Sequence, residues 1–285
     1  MTVPNRYIWH QAPVIAAFGR TAVSAFRRRM SNASSTAIDL PGPWLEQTIK
    51  PRERDLVRCY IRHVGGDPSA YKHHLPAHLF PQWGFPLATK ALLDVDYPLQ
   101  KTLNAGCKMD VHAPLPLNEP LHVKARLESI DDNGRRALIC QKVITGTKSH
   151  PEALVAHVYV LVPLGKGESK NPTAQDNATK KKPRERVRAP LDAREIGFWR
   201  LHNSAGLEFA KLTGDFNPVH WVPAYARAFG FRNTILHGFA TMARAIEGVQ
   251  NSLLCGATDR IRSFDVQFTS PLVLPARVGL YVSGD

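Results

Sequence analysis

Three segments in the first half of the chain alternate hydrophobic and polar residues, as strands with one buried face do. They are LHVKARLESI (121–130), ALICQKVITG (137–146) and EALVAHVYVLVPL (152–164), and Asp132-Asn133-Gly134 marks a turn after the first. Ahead of them, PQWGFPLATKALLD (81–94) carries its hydrophobic residues at helical spacing. The pattern predicts one helix followed by three long antiparallel strands.

The second half of the chain repeats this plan. SAGLEFAKLTG (204–214) predicts a short helix that ends at glycine, and GFATMARAIEGVQNSLL (238–254) predicts a longer one. IRSFDVQFTSPLV (261–273) alternates again, and ARVGLYVSG (276–284) begins another strand. Two such copies predict an α+β duplication in which each helix lies against an antiparallel sheet. The second copy has fewer strand candidates, so we expect its sheet to be short at the C-terminus.

Basic residues concentrate outside these elements. The 285 residues carry a net charge of +13, and residues 1–30 hold five arginines and no acid. Residues 165–188 hold eight Lys or Arg against three acids and show no apolar periodicity, which favours a linker over an anion-binding arm. The predicted organisation is therefore a basic N-terminal arm (1–50), a first half (51–164), a basic linker (165–188) and a second half (189–285).

The same features bear on partners and location. Because most of the surplus charge lies in the arm and the linker, a nucleic acid is not the expected partner. Residues 7–26 with the following RRRM could form a basic amphipathic helix, which leaves open membrane contact, a transit peptide or packing on the protein. The four cysteines are too far apart for a zinc or redox motif, so we expect a reducing, cytoplasmic location. No run of 18 uncharged apolar residues is present.

The segment LTGDFNPVH (212–220) carries the chemistry. It leaves the short helix at glycine and passes through a loop that places Asp215 and His220 together, where they could hold and activate one water molecule. Asn217 is suited to fix the loop through bonds to the backbone. Later, His237-Gly238 opens the long helix, whose first N–H groups lack intrahelical partners and can bind a developing oxyanion.

The string G-D-x-N-P-x-H followed by H-G resembles the hydratase-2 motif of MaoC-like (R)-specific enoyl-CoA hydratases and dehydratases, which have the hot-dog fold. The resemblance is strong over 190–282 and looser over 54–164. It implies a double hot-dog with a non-catalytic first half, where Gly65-Gly66-Asp67-Pro68 lacks the Asn and the His. The residues to which it assigns a role are Asp215 and His220 as the catalytic dyad, Gly238 as the N–H that polarises the thioester carbonyl, and Gly214, Asn217, Pro218 and His237 in support.

The implied activity is that of a lyase of fatty acid metabolism. It interconverts a trans-2-enoyl thioester and the (3R)-3-hydroxyacyl thioester by syn hydration, with coenzyme A as the expected carrier. A dehydratase acting on acyl carrier protein or polyketide intermediates, or a non-catalytic acyl-CoA-binding protein, remain alternatives. No cofactor or metal is expected, although His73, His74 and His78 form an HHxxxH cluster. A homodimer is considered, and Arg227, Arg232 and Arg244 are candidate contacts for CoA phosphates or, alternatively, solvated surface charges.

Overall fold

The computed structural model describes residues 2–12, 14–16, 39–93, 95–99, 102–165 and 189–284. The predicted linker, apart from Gly165, and residues 17–38 of the predicted arm lie outside this range.

The first half consists of two helices and an antiparallel sheet. Its helices are α1 (Arg54–Val64) and α2 (Pro81–Ala91). Its strands are β1 (Leu45–Ile49), β2 (His74–Leu75), β3 (Leu103–Val111), β4 (Leu115–Pro116), β5 (Leu121–Asp132), β6 (Arg136–Gly146) and β7 (Leu154–Pro163). The main sheet runs in the order β1-β5-β6-β7-β3. Helix α2 packs on the inner side of this sheet, where its Trp83 and Leu87 are buried.

The predicted helix and three long strands of this half are confirmed. The predicted boundary of the arm at residue 50 needs correction, because β1 pairs with β5 from Leu45 opposite Ala125 to Ile49 opposite Leu121. The short segment LEQTI has too few residues to show a period by itself, and only the pairing with β5 makes it a strand. Helix α1 and strand β3 also lie in segments for which the sequence yielded no prediction.

The second half contains the two predicted helices and further short elements. The helices are α3 (Ala205–Thr213), α4 (Pro223–Ala228) and α5 (Gly238–Leu253), with a 3-10 turn at Pro218–His220. Within the described residues this half adds strands β8 (Arg194–Leu201), β9 (Ser263–Gln267) and β10 (Ala276–Val282). Strand β10 pairs antiparallel with β8, whereas β9 pairs with β3 of the first half.

The two halves share one hydrophobic core. Phe239 of α5 contacts Phe80 and Phe85 of the first half with ring centroids 5.8 and 5.0 Å apart. Phe209 of α3 approaches Tyr60 of α1 at 6.2 Å. Together with the β3–β9 pairing, these contacts make the position of each half depend on the other.

The first residues of the chain pack on the body of the protein. A 3-10 helix at Asn5–Gln11 buries Tyr7 and Gln11, and Val3 and Val14 are buried beside it, while Trp9 is 83% exposed. For the described part of the arm, packing on the protein is therefore the arrangement adopted. None of the helices in the described ranges is long and apolar enough to cross a membrane.

Candidate active site

The end of α3 sets the direction of the loop that follows, residues 214–220. Gly214 has φ 86°, a left-handed conformation that glycine adopts without strain, and its N–H donates to the carbonyl of Ala210 at 2.7 Å. At the start of the same helix, a Cβ on Gly206 would overlap the carbonyl oxygen of His220. The helix and the far end of the loop are therefore in direct backbone contact.

Side-chain to backbone hydrogen bonds shape the 214–220 loop. Asp215 Oδ1 accepts from the N–H of Asn217 at 3.3 Å, and Asn217 Oδ1 accepts from the N–H of Val219 at 3.2 Å. Pro218 begins the 3-10 turn, where its missing N–H costs nothing. Asn217 thus has the loop-fixing contact that the sequence predicted for it.

Three side chains meet at this loop: Asp215, His220 and His237. His220 Nδ1 lies 2.8 Å from the carbonyl oxygen of Ile235, which can only accept, so Nδ1 carries the hydrogen and Nε2 keeps its lone pair. His237 Nε2 donates to the backbone oxygen of Asp215 at 2.9 Å. The two imidazole rings stack, with centroids 3.6 Å apart and planes at 23°.

Burial keeps both histidines neutral. It lowers the pKa of His220, against the raising effects of the Asp215 carboxylate and the Ile235 carbonyl. Burial and the neighbouring His220 lower the pKa of His237 to about 3. Near pH 7 the site therefore holds a neutral His220 with a free Nε2 lone pair beside the Asp215 carboxyl group.

Gly238 begins α5, so its N–H has no acceptor within the helix and lies at the positive end of the helix dipole. The ring of Phe268 covers the Gly238 Cα so closely that a Cβ there would lie 2.7 Å from two ring carbons. The N–H of Phe268 donates to the carbonyl of Ala105 in β3 at 2.8 Å. The wall beside the Gly238 N–H is thus held by the first half.

Gly206 and Phe268 are site residues that sequence reasoning missed. The sequence does contain a signal for the role of Gly206, since a glycine in the first turn of a helix indicates that another backbone segment approaches closely. No local pattern marks Phe268, whose role depends on where β9 pairs.

The dyad and His237 also form a group that could bind a metal. One ligand atom from each of Asp215, His220 and His237 can be chosen so that all lie within 4.8 Å of one another. Nitrogen and oxygen donors of this kind suit zinc and similar ions. His237 Nε2, however, already donates to the Asp215 carbonyl, and its Nδ1 is buried without a hydrogen-bond partner among the described residues.

The HHxxxH cluster is spread over separate contacts. His74 Nε2 lies 2.9 Å from Thr258 Oγ1. His78 lies in a buried network, with Nδ1 3.0 Å from the Tyr60 hydroxyl and Nε2 3.0 Å from Glu247 Oε1. The spacing of four does not place the two rings on one helix face, because His74 is in strand β2 and His78 in a 3-10 turn.

The three candidate arginines divide into two groups. Arg227 and Arg232 are exposed, in and just after α4. Arg244 is half-buried, and burial lowers its pKa against the raising effects of Tyr60 and Glu208. Its place among α1, α3 and α5 corrects the interpretation of Arg244 as a solvated surface charge.

The corresponding loop of the first half has the same local construction. Gly65 ends α1 with φ 95°, and Asp67 Oδ1 accepts from the N–H of Ser69 at 2.8 Å at the start of a 3-10 turn, Pro68–Ala70. Ala70 stands at the end of this turn, where His220 stands in the second half. Gly66 lies against the carboxylate of Glu247. The first half thus repeats the left-handed glycine and the capped 3-10 turn, in a loop that is one residue shorter and lacks the dyad side chains.

Comparison with solved structures defines the class of fold. The structure aligns with HtdX of Mycobacterium tuberculosis at TM-score 0.64 and 19% identity, covering 84% of this chain and 88% of that one. It aligns at TM-score 0.55 and 12% identity with a conserved hypothetical protein of the same organism described as having a double hotdog fold, covering 84% and 82%. The chain has the predicted double hot-dog fold.

Comparison with sequence families then identifies the second half. Residues 175–283 match the family described as MaoC like domain, which is the family that the motif in this half resembles. The chain is 27% identical over 179 residues to enoyl-CoA hydratase ChsH3 of M. tuberculosis and 23% identical over 201 residues to its 3-hydroxyacyl-thioester dehydratase X. These matches cover 61% and 70% of this chain but only 58% and 66% of the two relatives.

Proposed function

We propose that this protein is a lyase that interconverts a trans-2-enoyl thioester and the (3R)-3-hydroxyacyl thioester by syn addition and removal of water. The observation that carries the proposal is the neutral His220, oriented by the Ile235 carbonyl, with its free Nε2 beside the Asp215 carboxyl group. The relatives named as hydratase and dehydratase support the same assignment.

The Gly238 N–H and the Asp215–His220 dyad have separate roles in the proposed reaction. The N–H of Gly238 polarises the thioester carbonyl, which makes C3 electrophilic, and one oxyanion donor of this kind contributes about 10²–10³ in rate. Asp215 and His220 hold the water between them, so that one group accepts its proton and C2 receives a proton on the same face. The group that does not accept the proton of the water donates the proton to C2.

The proposed reaction requires no redox cofactor and no metal. The substrate brings its own carrier, coenzyme A or acyl carrier protein, and no nucleic acid takes part. The exposed Arg227 and Arg232, which follow the 214–220 loop in the sequence, are suited to the phosphates of either carrier. The homodimer and the cytoplasmic location stay predictions, and three relatives are named as peroxisomal.

A chain-length series of enoyl-CoA substrates with chiral analysis of the product tests the proposal. We expect the wild-type protein to form the (3R) product, and Asp215→Asn and His220→Ala to lose about 10²–10⁴ in kcat, since positioned acid–base groups contribute that much. Asp192→Asn and His202→Ala change the same residue types at exposed positions of this half and serve as controls.

The same series, run on acyl carrier protein, distinguishes the carriers. An inactive wild-type protein on both carriers at every chain length would overturn the enzyme assignment. Acyl-CoA binding without turnover would then favour the non-catalytic alternative.

A further inference from the structure

We propose that residues 2–12 and 14–16, named here the N-terminal segment, position the 214–220 loop by holding the C-terminal end of α3. The inference rests on the proposed function for its kinetic readout. Asp215 follows α3 after a single residue, so a shift of the helix end moves the carboxyl group by the same amount.

A buried glutamine of the N-terminal segment caps α3. Gln11 is fully buried, and its Nε2 donates to the carbonyl oxygens of Lys211 at 3.2 Å and Leu212 at 3.0 Å. Carbonyls in the last turn of a helix have no intrahelical partner, so a donor placed there stabilises that turn. Gln82 of α2 donates to the same Leu212 oxygen at 3.3 Å, which ties the helix end to the first half as well.

A valine of the N-terminal segment fills the space beside Gly214. A Cβ on Gly214 would lie 2.6 Å from Val14 Cβ and about as close to its methyl groups, so Val14 packs directly on the backbone at the first residue of the loop. Val14 is only 3% exposed. This contact limits movement of Gly214 away from its left-handed conformation.

Two further contacts anchor the N-terminal segment. Lys211 of α3 is buried and donates from Nζ to the carbonyl of Val3 at 3.2 Å. On the other side, His10 pairs with Glu53 just before α1 at 2.8 Å. The N-terminal segment therefore bridges the first half and α3.

This arrangement assigns the apolar residues of the N-terminal segment an internal role. Val3, Tyr7 and Val14 face the protein, and the exposed Trp9 stands apart from them. In active sites a misplacement of about 1 Å can cost about 10²-fold in rate, so a loosened helix end acts on kcat.

Two point variants test the proposal in the full-length chain. Gln11→Met keeps the size and removes both capping bonds, and Val14→Ala opens the space beside Gly214. We expect each to lower kcat about 3–30-fold with KM changed less than about twofold, because the loop is misplaced while most of the substrate surface is intact. Hydrogen exchange of the peptide 212–220 should become faster in both variants.

Two control variants separate positioning from general stability. Trp9→Ala changes an exposed residue of the same 3-10 helix, and Tyr97→Phe removes one hydrogen bond to Asp132 in the first half. We expect neither to change kcat or exchange in 212–220.

Wild-type kcat and exchange in Gln11→Met and Val14→Ala would overturn the positioning role. A wild-type protein without hydratase activity would instead overturn the proposed function. The exchange measurement would still decide whether the N-terminal segment holds the loop.

Discussion

At the scale of single residues, His237 connects the parts of the site. Its ring lies between Phe209 and His220, with centroids 5.0 and 3.6 Å away, and its Nε2 holds the backbone of Asp215. It is 1% exposed, and its low pKa keeps it neutral. We regard it as a positioning residue that keeps the dyad together without exchanging protons itself.

Replacing His237 with Phe tests this role. The Phe ring preserves the stack but cannot donate to the Asp215 carbonyl. We therefore expect kcat to fall about fivefold, since one hydrogen bond contributes about 1 kcal/mol and about 1.4 kcal/mol is tenfold in rate. Because the change also removes a buried nitrogen without a partner, the free energy of unfolding should stay the same or rise. His202→Phe, at an exposed position, is the control. Unchanged kcat in His237→Phe would contradict the role.

At the scale of elements, the site depends on how α3 and the 214–220 loop fit together. Gly206 lets the His220 carbonyl approach the helix, and Gly214 turns the chain out of it. Glycine at position 206 costs about 1 kcal/mol relative to alanine in a helix. The close contact with His220 is the physical reason that glycine is tolerated there.

Gly206→Ala therefore has two opposing effects. Alanine favours the helix more than glycine does, but its Cβ disturbs the position of the loop. The added Cβ must displace His220, so we expect kcat to fall about 10²-fold, as a misplacement near 1 Å does, and the protein to become less stable despite the better helix former. Steady-state kinetics and urea unfolding measure the two effects. In Gly42→Ala the new Cβ meets its nearest neighbour at an ordinary 3.5 Å, and this control should behave as wild type. A more stable and fully active Gly206→Ala would show that the loop adapts.

At the scale of the whole molecule, the space between the halves holds several buried ionisable groups. Burial lowers the pKa of His63 to about 3, with Arg244 contributing, and the pKa of His237 also lies near 3. Nearby, Tyr71 donates to Glu247 Oε1 at 2.8 Å, and Glu247 also contacts His78. The fold thus keeps two histidines uncharged that would take up protons when the chain unfolds.

Stability should accordingly depend on pH. A histidine with a pKa near 3 when folded and about 6.5 when unfolded favours the folded state fully above pH ~6.5, and this contribution is lost as the pH falls towards 3. We expect the urea midpoint to decrease when the pH is lowered from about 7.5 to about 4.5. In His63→Gln the slope of the midpoint against pH should be smaller, because unfolding then takes up about one proton fewer. His202→Gln is the exposed control. An unaltered slope in His63→Gln would contradict the low pKa of His63.

The sequence correctly predicted those elements that have a strong local signal. Each of these signals extends over about ten residues or fewer. They are the alternation in β5 to β7, the glycine at the end of α3, and the spacing of Asp215, Asn217, Pro218 and His220. Strand β1 and helix α1 were missed. In β1 the burial of residues depends on β5.

By itself, the sequence determined the duplicated α+β plan, the hot-dog resemblance and the composition of the dyad, because hydrophobic period, turn residues and motif spacing act locally. Only the tertiary structure decided that β9 joins β3, that Phe268 covers Gly238 and that Arg244 is half-buried. It also decided that Gln11 caps α3 across a separation of 201 residues. The physical reason is that these contacts stabilise the fold through burial and hydrogen bonds between distant segments, and no local pattern encodes which segments meet.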